Sequence, residues 1–281
     1  MYSPPDDPTR ERMQAAHAEA LHRLGLHTSG PYAWGWNART ISSLASTDHW
    51  LRIEATPDDR AAARELDEGI SGAENLPDAV PRPRLHATTT WTKDAWTYTA
   101  DLLTHIPHPV ISPHTPELRA DPGLDDRWWT ELRGALDALA TVPTGRETVR
   151  TLWMRRTFPL FLGVDAPDRI ERETGHGDLH WANLTGTPLT VMDWERWGSV
   201  PAGFDAGLLH AYSQRVPAVA ARVRAEFAHV LDTPTGRIGE LAALCEMLQS
   251  VARGEYTEIA PALMHRAEAL TGRRLPVPPQ R

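Results

Sequence analysis

The segment from Thr174 to Gly198, TGHGDLHWANLTGTPLTVMDWERWG, constrains this chain more than any other part of it. His176, Asp178 and Asn183 lie close together there, and Asp193 follows at the end of a short apolar run. One base, one amide and one further carboxylate are the side chains that phosphoryl transfer from a metal-bound nucleotide uses. Such a transfer needs an oriented hydroxyl nucleophile and cations that neutralise the phosphates. Asp178 can accept or orient the acceptor's proton. The Asn183 carbonyl oxygen and the Asp193 carboxylate are hard donors that suit Mg2+, which keeps waters and completes its shell with substrate phosphate. Residues 188–192, PLTVM, read as a short buried strand ending at Asp193, and 185–188 as the turn before it, with Gly186 and Pro188 as breakers. Leu184 then falls on a preceding strand, and the resulting hairpin directs Asn183 and Asp193 towards one point.

The alternation of His176, Asp178 and His180 admits a second chemistry, a metal-dependent hydrolase, since alternate residues on a strand can converge on a metal. No second dense His/Asp cluster accompanies them. His105, His108 and His114 are spread through a Pro-rich stretch, 104–124, that reads as a surface excursion.

The run His176-Gly177-Asp178-Leu179-His180-Trp181-Ala182-Asn183 resembles the HGDxxxxN catalytic loop of the aminoglycoside phosphotransferase (APH) family, relatives of the protein kinases. Asp193-Trp194-Glu195 resembles the place of that family's second metal-binding aspartate, and 201–206, PAGFDA, its next landmark. The resemblance implies an α+β, two-lobed protein-kinase-like fold. Residues 1–100 would form a small β-rich lobe covering the nucleotide, and 101–281 a mostly helical lobe with the catalytic loop and acceptor site. It implies Asp178 as base, Asn183 and Asp193 as Mg2+ ligands, and Asp205 as the anchor beneath the loop, with His176 fixing the loop. His180 would either stabilise the transferring phosphate when protonated or brace the loop. The donor would be ATP or GTP, and the acceptor a hydroxyl of a small molecule.

The first hundred residues fit that implication. Residues 10–24 read as an Ala-rich helix and 49–55 as a strand. Thr56-Pro57-Asp58-Asp59 read as a helix start that runs towards Gly69 or Gly72, and 85–90 and 95–100 as two strands. In the family a Lys or Arg on the strand before that helix contacts the phosphates and a helix glutamate orients it; the matching positions are Arg52 and Glu65. Arg is a planar, forked cation and grips phosphate oxygens differently from an ammonium. A catalytically degenerate, nucleotide- or partner-binding protein therefore remains the alternative. There is no GxGxxG; Gly35 and Asn37, in GPYAWGWNARTISS, can form a tight turn instead. The backbone at Ala100-Asp101-Leu102 would connect the lobes and bond an adenine edge.

The remainder reads as helices at 126–140, 204–213, 216–231, 239–251 and 259–270. The eleven tryptophans, Trp128 and Trp129 among them, offer an aromatic surface, and Glu195, Asp205, Glu226 and Glu255 could face a polyamine. An antibiotic or other amine-bearing metabolite is thus the expected acceptor class. A net charge of −8 over 281 residues agrees and disfavours nucleic acid. No apolar run approaches the ~20 residues a membrane span needs. The first residues, MYSPPDDPTRERMQ, contain no apolar stretch of the secretory kind. Cys245, the single cysteine, cannot form an intrachain disulfide, so no membrane association and a cytoplasmic location are expected.

Overall fold

The structure, a computed structural model, describes residues 3–27, 30–59 and 69–276. The chain divides into two compact units, Met1–Glu74 with Arg82–Pro107, and Asn75–Pro81 with His108–Arg281. The chain passes from the first unit to the second after Pro107 and not near residue 100, which lies inside a strand.

In the first unit, helix α1 (Asp7–Leu24) starts where the Asp6 carboxylate accepts the Thr9 N–H at 2.8 Å, and ends on left-handed Gly25. Five strands follow: β1 (Ala33–Trp34), β2 (Thr40–Ser46), β3 (His49–Pro57), β4 (Leu85–Lys93) and β5 (Trp96–Thr104). They form an antiparallel sheet in the order β1-β2-β3-β5-β4. One face carries Leu51, Ile53, Tyr98 and Ala100, which pack with Met13, Ala16 and Ala20 of α1. The alternate positions of β3 and β5, Arg52, Glu54 and Asp101, form a polar face. The β4–β5 turn uses Asp94 and Ala95, both at positive φ, which twists with the strands.

Two expectations change here. Thr56 and Pro57 pair with Thr97 and Trp96 as the last residues of β3, so the expected helix begins just after them, at Asp58 and Asp59. Most of the expected helix, Glu65 included, lies outside the described residues; Asp58 and Asp59 at one end and α2 (Gly69–Gly72) at the other are seen of it.

The second unit contains α3 (Asp126–Ala140), α4 (Thr151–Phe161), α5 (Phe204–Tyr212), α6 (Pro217–Glu226), α7 (Ala228–Leu231), α8 (Pro234–Ala252) and α9 (Ala260–Thr271). A two-stranded antiparallel sheet joins β6 (Arg172–Gly175) to β7 (Gly198–Pro201). The expected helix over 216–231 is two, broken at Phe227. Helix α4 escapes the sequence reading because its N-terminus has no side-chain cap of its own, and Pro159 falls inside it. Glu147 accepts the Thr151 N–H instead, at 3.0 Å, and Pro159 lies in the last turn, where it removes one backbone donor. The Pro-rich stretch is no free excursion: Ile111 N–H donates to Leu184 O, Ser112 N–H to Trp181 O, and Leu118 N–H to Tyr212 O. No helix among the described residues is long and apolar enough to cross a membrane.

Glu240 of α8 ties four helices together. It is fully buried, takes two 2.8 Å bonds from Arg266 of α9, and lies 3.2 Å from Arg224 of α6. The α5 residue His210 accepts from Gln214 Nε2 through its own Nε2, so its Nδ1 carries the proton and stands 3.2 Å from Glu240 Oε1. Burial pushes the Glu240 carboxyl up, but the bonds from Arg266 and His210 outweigh it and bring it to about 2, against an ordinary 4.5. A carboxyl depressed in the fold stabilises it fully above pH 4.5 and stops doing so as pH falls towards 2. Urea unfolding across that window should therefore show a loss on the order of 3 kcal/mol that is absent in Glu240→Gln. An equal loss in both proteins would place the acid sensitivity elsewhere.

Candidate active site

Strand β6 delivers the chain into the 176–183 loop, and β7 receives it after Asp193. Asp205 sits in the first turn of α5, where a carboxylate suits the helix dipole. Its Oδ2 accepts from His176 N–H at 2.5 Å and its Oδ1 from Gly177 N–H at 2.9 Å. Burial pushes this carboxyl up, while the His176 ring and the two N–H groups pull it down. Gly177 has φ 77°, and a Cβ there would stand 2.4 Å from the Arg196 carbonyl oxygen, so only glycine fits. His176 is fully buried and donates from Nε2 to Met192 O at 2.8 Å, its ring edge-on to Trp194. Trp194 Nε1 in turn donates to Val191 O.

The expected strand over 188–192 contracts to one bridge, Leu184 with Val191, flanked by Thr185 N–H to Thr190 O and Met192 N–H to Asn183 O. The hairpin nevertheless forms. Trp128 pins its tip by donating Nε1–H to the carbonyls of Thr185 and Gly186. Asn183 Nδ2 donates to Asp178 O at 2.9 Å, which leaves Oδ1 as the free acceptor. Asp193 is exposed and takes φ 61°. Among the described residues neither Asn183 Oδ1 nor the Asp193 carboxylate accepts a hydrogen bond or joins an ion pair. Two uncommitted hard oxygens on one short hairpin are a fit donor set for Mg2+. A transition-metal set is not built: no three His, Cys, Asp or Glu gather among the described residues, and the His176 Nε2 is spent on Met192.

His180 is buried, and burial lowers its pKa. Its Nε2 lies 3.3 Å from Asn183 Nδ2, which can only donate, so this nitrogen accepts and the ring is neutral. That geometry suits bracing of Asn183 and not a cation aimed at phosphate. Asp178 is half-buried, with Oδ1 3.6 Å from Arg196 Nη1. Arg196 also grips Glu246 of α8 with two bonds, 2.9 and 3.3 Å. The sequence reading missed both. Arg196 follows Asp193 by three residues and could have been flagged on that ground, but nothing local marks Glu246.

In the first unit Arg52 lies on the polar face of the sheet, opposite Asp101. Its guanidinium is 3.9 Å from Asp101 Oδ2 and 3.5 Å from Glu54 Oε2, while Thr88 Oγ1 donates to Asp101 Oδ1 at 2.8 Å. Burial pushes the Asp101 carboxyl up; Arg52 and Thr88 pull it down. Glu65 lies outside the described residues. Ala100 and Leu102 do not connect the units. They pair with β3 on one side and β4 on the other, so their backbone groups belong to the ladders, and their side chains face the α1 core. Gly35 and Asn37 do form a tight turn, closed by Gly35 N–H to Thr40 O and Ala38 N–H to Gly35 O.

The aromatic and acidic side chains expected to meet an amine are mostly engaged elsewhere. Trp128 and Trp129 are buried and pack on Trp181. Asp205 holds the loop, Glu226 pairs with Arg133 and Arg222, and Glu255 pairs with Arg253. Replacing Asp205 with Asn removes one acceptor from two buried N–H groups and should cost about 2 kcal/mol in chemical unfolding. It should also speed amide exchange at His176 and Gly177. Unchanged exchange there would mean that the loop is held by its other contacts.

No family model matches the sequence, and no curated protein matches it either. Solved structures do match its fold. APH(4)-Ia, an aminoglycoside phosphotransferase, superposes with a TM-score of 0.56 at 11% identity, over 92% of this chain and 98% of that one. A GDP and kanamycin complex of APH(2'')-IIIa gives 0.57 at 13%, over the same shares. A GDP complex of wild-type aminoglycoside 2'-phosphotransferase-IIIa gives 0.53 at 12%. The fold implied by the resemblance is therefore found: the chain has the two-lobed, kinase-like fold of the aminoglycoside phosphotransferases.

Proposed function

We propose that this protein is a kinase-like phosphotransferase that moves the γ-phosphoryl group of ATP or GTP onto a hydroxyl of a small molecule. The observation that carries this reading is the pinned loop. Asp205 holds the backbone on either side of the His176–Gly177 peptide, Asn183 clamps the Asp178 carbonyl, and the same hairpin presents Asp193. Neighbours of this fold have been crystallised with AMP-PNP or ADP together with hygromycin B, and with GDP, which supports a nucleotide donor here.

In this reading the Asp178 carboxylate orients the acceptor hydroxyl and takes its proton as the oxygen bonds to the γ-phosphorus. The bond from that phosphorus to the β–γ bridging oxygen breaks, and the nucleoside diphosphate leaves with the electron pair. Asn183 Oδ1 and Asp193 would hold Mg2+, which when bound neutralises charge on the donor phosphates. His176, His180 and Asp205 position the loop. Arg52, steadied by Glu54 and Asp101, contacts donor phosphates. Its pairing with two acids on its own sheet also favours the second reading, a degenerate protein that binds nucleotide and turns nothing over.

A native-state ligand raises the unfolding midpoint, by about 2.7 kcal/mol of stability at a hundredfold excess over its dissociation constant. Mg2+ with ATP or GTP should do so, and neither component alone should match it. Asp193→Ala should lose the metal-dependent part of the shift. Asp178→Asn should keep it while turnover, read as diphosphate release with an active acceptor, falls about a thousandfold. Full activity in Asp178→Asn would defeat the assignment of the base. Nucleotide binding without turnover of any hydroxyl acceptor would favour the degenerate reading.

A further inference from the structure

A groove of about 570 Å³ lies within the second unit, between the N-terminal half of α4 and the C-terminal half of α8. That volume is ordinary for a small-molecule site. Helix α4 presents Trp153 and Arg156 to it, and α8 presents Glu246 and Arg253, each at helical spacing. Arg150 and Arg196 complete the charged lining. Four arginines therefore face one glutamate, in a chain whose net charge is −8.

The one acid is already committed, since Glu246 is held by both terminal nitrogens of Arg196. Arg253 is partly neutralised by Glu255 at 3.3 Å. Arg150 and Arg156 are exposed and make no ion pair within 4 Å among the described residues. Between them the wall is apolar: Val149 lines it, Trp153 offers a half-buried ring, and Leu152 is left 59% exposed. A polyamine would meet repulsion here and no free carboxylate, whereas a carboxylate or phosphate would meet forked donors. The groove also adjoins the chemistry. Arg196, part of its lining, stands 3.6 Å from the Asp178 carboxylate.

We propose that the groove is the acceptor site and takes a hydroxylated organic anion, a carboxylate or phosphate on a flat or apolar body, and not a polycationic aminoglycoside. The term acceptor rests on the phosphotransfer reading; the anion selectivity does not. Arg150 and Arg156 bind the acid group, Trp153 lies against the body, and Arg196 sits between the bound anion and Asp178.

The test is calorimetric binding to the full chain of three probes: 4-hydroxybenzoate, glucose 6-phosphate and kanamycin. Each is measured with and without Mg2+ and AMP-PNP, and again with the Arg150→Gln/Arg156→Gln double variant. Both substitutions are on exposed side chains, so the fold should survive them, and an unchanged unfolding midpoint verifies this. At least one anion should bind, and about tenfold more weakly in the variant, with kanamycin bound more weakly than that anion. Kanamycin binding as tightly as the tighter anion, or more tightly, would overturn the proposal, as would anion affinity that ignores the two arginines or no anion binding at all. Arginine-dependent anion binding in a protein that fails to bind Mg2+ and nucleotide would defeat the phosphotransfer reading and leave the anion site standing.

Discussion

The carboxylate of Asp205, buried against the backbone N–H groups of His176 and Gly177, is the contact on which the rest of the candidate site depends. A loop turning through a left-handed glycine has N–H groups that no strand or helix can satisfy, and a buried donor without an acceptor is costly. Asp205 supplies both acceptors from one side chain, and the N-terminus of α5 is an electrostatically favourable place to keep it. The His176 ring then runs the other way, to the carbonyl of Met192. The residue before Asp193 is thereby tied to the loop that carries Asp178. The anchored backbone sets the position of Asp178 and of the hairpin that carries Asn183 and Asp193 together.

Electrostatics in the second unit are arranged by pairing and not by net charge. Several of its acids are spent on neighbouring arginines, as at Glu226, Glu240 and Glu246. A helix face such as that of α4 can then carry unmatched arginines in a protein that is acidic as a whole. Net charge describes long-range steering and solubility. It says little about the sign of a particular groove, and here the two point in opposite directions.

What could be read from the sequence follows the range of the interaction. The loop and the hairpin lie within eighteen residues of one another, from His176 to Asp193, and their geometry is decided by local turn chemistry and a few apolar positions. Asp205 follows a short way on, in PAGFDA. Arg52 on an alternating strand was legible by periodicity, but its partners Asp101 and Thr88 come from other strands, and register cannot be read from a single strand. The Thr56-Pro57 pair marks a helix start that the structure puts just after it, at Asp58, because Pro suits both a first helical turn and the end of a strand. Helix α4, Glu246 and the groove were invisible for a related reason. The α4 start is capped by Glu147 rather than by its own N-cap side chain, and the groove exists only where two helices far apart in sequence come together.

Glu240 bears on how such a sequence can drift. Its charge is balanced by groups on three other helices, and a buried ion that loses a partner is far more costly than an apolar replacement of the whole network. Single substitutions at Glu240, Arg224 or Arg266 therefore lead through less stable intermediates, while a concerted exchange of all of them for well-packed apolar residues need not. The network acts as a barrier between neighbouring sequences of one fold. Such a cluster resists change one residue at a time, and it sits against α5, the helix whose first turn carries Asp205.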